Sequence, residues 1–233
     1  MPKEDVSLFE IFGPIMIGPS SSHTAGVARI AWLAGSMFAL KPTEVVVNFY
    51  GSLAATYRGH GSDKAVYAGL LGILPWDEKL SSGDKILKGL QDKGQGFKAA
   101  INAMEEMPPS WHPNTVILEL KNEKKVLKLR AASIGGGSIC INEINGYQVN
   151  LSGDLEALLV LHRDEVGVIA SVSHALASEK INIAATSSVR KEKGKEALLV
   201  VEIDGTFPQK VISQVESLTS IIEVLKVPSM GDA

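Results

Sequence analysis

The chain has 233 residues, 45% hydrophobic and 21% charged, with a formal net charge of −3 and one cysteine. That length suits one or two domains with real cores, and the acidic balance with scattered Lys and Arg argues against a nucleic-acid surface. One cysteine excludes an internal disulfide or a four-thiolate site built by this chain alone, and no apolar run is long enough for a membrane span.

Met1-Pro2-Lys3-Glu4-Asp5 lacks the basic start and apolar stretch of a signal peptide, so the cytoplasm is the expected compartment. Residues 18–24 read Gly18-Pro19-Ser20-Ser21-Ser22-His23-Thr24. An amphipathic helix is expected from His23 to Phe38, with Val27, Ile30, Ala31, Ala34, Met37 and Phe38 at helical spacing. Lys41-Pro42 stops it, and the β-branched run Glu44–Tyr50 predicts a buried strand. A short helical pattern from Leu53 follows, then Gly59-His60-Gly61-Ser62-Asp63, then a helix over Asp63–Leu71. Residues 75–114, rich in Gly, Pro and Lys, read as one or two surface helices with loops, the second ended by Met107-Pro108-Pro109. Strands are predicted at Thr115–Leu120, Lys125–Ala132, Ser138–Ile144 and Tyr147–Leu151. Ser133-Ile134-Gly135-Gly136-Gly137 forms a bend between the second and third of these, and Asn145-Gly146 is a strong hairpin signal before the fourth. The lysine-rich runs Lys121–Lys128 and Arg190–Lys195 read as solvated hairpin tips.

Leu151-Ser152-Gly153-Asp154 is the expected boundary, giving domains at 1–152 and 155–230. Beyond it the order is strand Ala157–Leu161, helix Val166–Lys180, strands Asn182–Val189 and Ala197–Ile203, helix Pro208–Leu218 and strand Ile221–Val227. This βαββαβ order is ferredoxin-like, and the whole chain is α+β.

The hydroxyl cluster of Ser20, Ser21, Ser22, His23 and Thr24 sits at a helix start, where unpaired N–H groups favour an anion. Capping explains one of those residues and not all five. The segment is neither a Walker loop nor a nucleophile elbow. His60 lies between Gly59 and Gly61, which allow close backbone approach to a ligand. His23 and His60 are thus candidates for acid–base work or for holding a carboxylate. Ser133, Gly135 and Gly136 read either as a bulge or as an N–H nest beside an anion. In the second domain His162-Arg163-Asp164-Glu165-Val166-Gly167-Val168 reads as helix capping by Asp164 or as a small-ligand loop. His112 reads as a surface loop residue, His174 as packed or solvated, and Cys140 as a buried structural thiol.

The three motifs at 18–24, 59–63 and 133–137, in that order, resemble the β subunit of bacterial two-subunit, iron–sulfur-dependent L-serine dehydratases. The resemblance covers the whole chain. Residues 1–150 resemble the allosteric substrate-binding domain of some D-3-phosphoglycerate dehydrogenases, and the last domain resembles an ACT domain. The family converts L-serine to pyruvate and ammonia, a step of amino-acid degradation that feeds gluconeogenesis. Its [4Fe-4S] cluster, ligated by a partner α subunit, acts as a Lewis acid on the serine hydroxyl. The resemblance implies His60 and His23 as catalytic candidates. It also implies Ser20, Ser21, Ser22, Thr24, Gly59, Gly61, Ser133, Gly135 and Gly136 as substrate contacts, either facing the cluster or forming a separate serine site. Asp164, Val166, Gly167 and Val168 correspond to an ACT effector loop, and ACT pairing implies a homodimer contact. Ser62 stands where threonine is usual and keeps the hydroxyl, whereas Val166 stands where the common loop has proline.

Overall fold

The computed structural model describes residues 18–230, which divide into two compact units, one up to Asn145 and one from Gly146.

The first unit opens with a π-helical turn, Ser21–Ala25, that runs into helix α1, Gly26–Phe38. Leu33 and Ala28 are buried together with the predicted face, because α1 is covered on two sides. One side meets the sheet and the other meets helix α3, Ser62–Leu70. At that crossing a Cβ on Gly69 would lie 2.4 Å from the Ala28 carbonyl oxygen, so the backbones touch and glycine is required. Strand β1 (Glu44–Phe49) follows, then the short helix α2 (Gly51–Thr56), α3, a 3-10 turn (Glu78–Ser82) and helix α4 (Gly83–Gln91).

Only one helix occupies the stretch where two were expected at most, and a strand, β2 (Lys98–Ala103), stands beyond it. Its sequence, Lys-Ala-Ala-Ile-Asn-Ala, has weak strand propensity. Parallel pairing with β1 overrides that, including an Asn102 amide that donates to Asn48 Oδ1 at 2.8 Å. Strands β3 (Thr115–Lys121), β4 (Val126–Gly135) and β5 (Ser138–Ile144) extend the sheet in the order β2-β1-β3-β4-β5. All pairings after the first are antiparallel. Ser133–Gly135 belong to β4, so the glycine-rich bend is shorter than the sequence suggested and turns at Gly136 and Gly137. Asn145 and Gly146 have φ of 50° and 82°, the conformation a two-residue type I′ turn needs.

The second unit begins with β6 (Tyr147–Leu151) and contains β7 (Glu156–Arg163), α5 (Val168–Ser178), β8 (Ile183–Arg190), β9 (Glu196–Ile203), α6 (Gln209–Glu216) and β10 (Ile221–Val227). The sheet order β10-β7-β9-β8 is the ferredoxin-like arrangement read from the element order. Alternate residues of β7 and β9, among them Leu158, Val160, Leu199 and Val201, meet Val172 and Leu176 of α5 and Val211 and Val215 of α6. Pro208 is the residue before α6 rather than its first turn, with ψ of 142°. The buried Glu156 carboxylate is paired: it accepts from Phe207 N–H and lies 2.9 Å from Lys226 Nζ. Asp164 does not cap α5. Gly167, at φ 92°, precedes the helix, and the Asp164 carboxylate turns to the β8–β9 hairpin instead. Cys140 on β5 is half-buried rather than buried, and the Asn142 amide lies 3.1 Å from its sulfur. Among the described residues no helix is long and apolar enough to cross a membrane.

Candidate functional site

The start of α1 is shaped by close contacts on both flanks. Gly18 has φ 131°, and a Cβ there would lie 2.6 Å from Thr24 Cγ2. Ser20 is extended, and its hydroxyl accepts from His23 N–H at 3.0 Å, so capping accounts for this one serine. Its carbonyl accepts from both Thr24 N–H and Ala25 N–H, and Gly26 N–H closes on Ser21 O, giving the wide π turn. Such turns are frequent at functional sites because they re-aim side chains. Ser22 Oγ stands 3.5 Å from Ser20 Oγ.

His23 reaches two residues that the sequence did not single out. Its Nε2 lies 3.1 Å from Ser52 Oγ and 3.1 Å from Asn114 Oδ1. Ser52 also donates to Asn114 Oδ1. Ser52 is placed by Gly51, whose φ of 55° and missing Cβ let α2 start against the Pro113 carbonyl, to which Ser52 N–H donates at 2.9 Å. Asn114 is held from both sides. Its N–H donates to His112 Nδ1 at 3.1 Å, and its side-chain amide donates to the Ser133 carbonyl at 3.2 Å. His112 is therefore a structural partner of the site and not a plain loop residue.

His60 stacks on His23, ring centroids 4.8 Å apart and planes within 8°. Thr24 Oγ1 donates to the His60 carbonyl at 2.8 Å, and His60 N–H donates to Thr56 O at 3.0 Å. The flanking glycines give the ring no support; His23 does. Gly61 is needed for its φ of 67°, and Gly59 is exposed. Buried and without a hydrogen-bond partner are His60 Nδ1, the Ser62 hydroxyl and Asp63 Oδ1. Burial pushes the His23 imidazole below its ordinary pKa of 6.5, and His60 adds to this, while the Asn114 hydrogen bond works against it. The net effect favours the neutral form of the His23 ring.

Ser20, Ser22, His23, Thr24 and His60 come together as one cluster, while Ser21 contributes its backbone carbonyl to the π turn. Ser133 is fully buried beneath the start of α1, where a Cβ on Gly26 would lie 2.0 Å from its hydroxyl oxygen. Its carbonyl supports Asn114. Gly135 and Gly136, at φ 107° and 59°, shape the end of β4 and the turn to β5. In the second unit Asp164 accepts from Arg190 Nη1 at 3.0 Å and Gly194 N–H at 2.8 Å, and both hold its carboxyl below the usual range. Val166 is fully exposed, and Val168 is buried on the core side of α5. His174 is exposed and His162 is buried.

An iron–sulfur cluster does not fit the donors of this chain. A cluster needs several thiolates where one cysteine exists, and burial raises the pKa of that thiol. Among the described residues no group of three His, Cys, Asp or Glu side chains could hold a metal ion.

The profile of a family described as the serine dehydratase beta chain matches residues 7–144, and that of an AHAS small subunit-like ACT domain matches residues 158–223. A probable L-serine dehydratase beta chain of Bacillus subtilis (strain 168) is 41% identical, covering 95% of this chain and 97% of that one. The L-serine dehydratase beta chain of Peptoniphilus asaccharolyticus is 32% identical, over 91% and 93%. A D-3-phosphoglycerate dehydrogenase of Bacillus subtilis (strain 168) is 26% identical over 58% of this chain and 25% of its own length. With a profile over most of the first unit and relatives matching nearly end to end, this chain belongs to the serine dehydratase β-chain family.

Proposed function

We propose that this chain is the β subunit of an L-serine dehydratase and that, with an α subunit, it converts L-serine to pyruvate and ammonia. In this reading the Ser20–Thr24 turn with His60 is the serine site. The observation that carries it is the His23 imidazole stacked on His60 at a helix start lined by hydroxyl groups. A helix start with hydroxyls suits the serine carboxylate. Elimination removes the α-proton and the β-hydroxyl, leaving an enamine that tautomerises to an imine and is hydrolysed to pyruvate and ammonia. A neutral imidazole is the group in this chain suited to accept that proton. In this reading the [4Fe-4S] cluster is held by the α subunit and supplies the Lewis acid, while this chain supplies the carboxylate-binding and proton-accepting groups. The proposal includes domain limits of 1–152 and 155–230, homodimer pairing through the ACT domain, an effector loop at Asp164, Val166, Gly167 and Val168, and residence in the cytoplasm.

The test is anaerobic mixing of the chain with its α partner, with pyruvate release from L-serine as readout. Each chain alone should be inactive and the mixture active. A brown, cluster-loaded mixture without turnover overturns the proposal. One observation favours a second reading, a stand-alone amino-acid-sensing regulator: the match to an ACT profile at 158–223. That reading requires the isolated chain to bind serine at fixed stoichiometry in calorimetry, with no effect of the chain on turnover by the α partner.

A further inference from the structure

We infer that Asn114 is a positioning residue that fixes the tautomer of His23, putting the proton on Nε2 and leaving Nδ1 as the bare, proton-accepting nitrogen. The inference rests on the serine-site reading for its catalytic meaning, but its geometry stands without it.

The Asn114 side chain has two ends with opposite chemistry. One end contacts the Ser133 carbonyl at 3.2 Å, and a carbonyl can only accept, so that end is the NH₂. The other end is then Oδ1, which can only accept. Oδ1 faces His23 Nε2 at 3.1 Å and the Ser52 hydroxyl. Both neighbours must donate to it. Nε2 therefore carries a hydrogen, and the neutral ring has its lone pair on Nδ1. Ser52 cannot act as donor to Nε2 while its proton is directed at Asn114 Oδ1, or at the Pro113 carbonyl 3.4 Å away. The arrangement is rigid because each partner is itself held. Asn114 N–H is bound to His112 Nδ1, Ser133 N–H donates to the Asn114 carbonyl at 3.1 Å, and Ser52 N–H is bound to Pro113 O. Orienting partners of this kind set which ring nitrogen is available for chemistry.

The experiment uses the full chain labelled with ¹⁵N-histidine, with His23→Gln assigning the signal. The wild-type ring should show an unprotonated Nδ1 and a protonated Nε2 in a single tautomer. In Asn114→Leu the Ser52 hydroxyl loses Oδ1 as an acceptor and becomes available to donate to Nε2, so the shift difference between the two nitrogens should shrink. Ser52→Ala leaves Asn114 Oδ1 as the partner of Nε2 and should retain the wild-type pattern. In the α–β mixture Asn114→Leu should lower kcat on the order of tenfold or more with little change in KM, and the loss in Ser52→Ala should be smaller. A protonated Nδ1 in the wild type overturns the inference, as do unchanged shifts in Asn114→Leu. Loss of the single-tautomer pattern in Ser52→Ala overturns it too. A mixture that never turns over serine defeats the functional reading while the tautomer result stands by itself.

Discussion

The starts of α1 and α5 each follow a loop containing glycine, yet they are held in different ways. At α1 the side chains that matter arrive from distant segments: His60 after α2, Ser52 at the head of α2, and Asn114 before β3. At α5 the helix starts from Gly167 without a side-chain cap, Asp164 serves the neighbouring hairpin, and Val166 stands in solvent. The first arrangement is a rigid constellation whose precision depends on the packing of the whole unit. The second is a loop tied through Asp164 to the β8–β9 hairpin and through Glu165 to Ser220, with Val166 turned fully to solvent.

The largest effect that would break this contrast is catalytic. His60→Ala and His23→Ala should each lower pyruvate release from the α–β mixture by about 10²- to 10⁴-fold, the range for lost acid–base groups. Residual rates within tenfold of wild type would remove both from the chemistry. Next comes stability. Gly69→Ala would force a Cβ to 2.4 Å from Ala28 O and 2.9 Å from Trp32 N, and urea unfolding should show a loss of about 3 kcal/mol. Gly167→Ala meets nothing within 4 Å and should cost only the left-handed strain, about 1 kcal/mol. Equal losses would mean that the α1–α3 crossing and the start of α5 are equally constrained.

Two smaller effects sharpen the comparison by pH. The folded-state pKa of His23 lies below the ordinary 6.5, so the unfolded chain binds more protons near that value. Its contribution to stability is complete above 6.5 and is lost as pH falls below it. The urea midpoint of the wild type should fall between about pH 7 and about pH 5 more steeply than that of His23→Gln. Asp164 behaves as a depressed carboxyl. Its contribution is present above the ordinary 3.8 and lost as pH falls through the lower folded value. Protection of the Gly194 amide against exchange, relative to its intrinsic rate, should therefore fall in acid in the wild type, and in Asp164→Ala it should already be low at neutral pH.

Much of the second unit was legible in the sequence, because its periodic apolar residues Val168, Val172 and Leu176 and its strand runs all agree with the tertiary arrangement. Strand β2 was not, because an alanine-rich edge strand takes its conformation from its partner β1 rather than from its own residues. In the site, the residues at 18–24 and His60 were visible as motifs. Ser52 and Asn114 were not, since Gly-Ser before a short helix and Pro-Asn before a strand look like ordinary punctuation. Only the folded register brings them to the imidazole.

The π turn at Ser21–Ala25 has a consequence for how this segment can change. It holds one more residue than an α turn would, so the chain stores an extra step of helical phase ahead of α1. Deleting one serine would let the turn relax to α and rotate the residues ahead of the deletion by about 100° relative to α1, one residue's worth, taking the Ser20 hydroxyl off the His23 N–H. Faster exchange of the His23 amide in a Ser22-deleted chain, with α1 still folded, is the expected signature. Length, as much as composition, is under constraint in this run of serines.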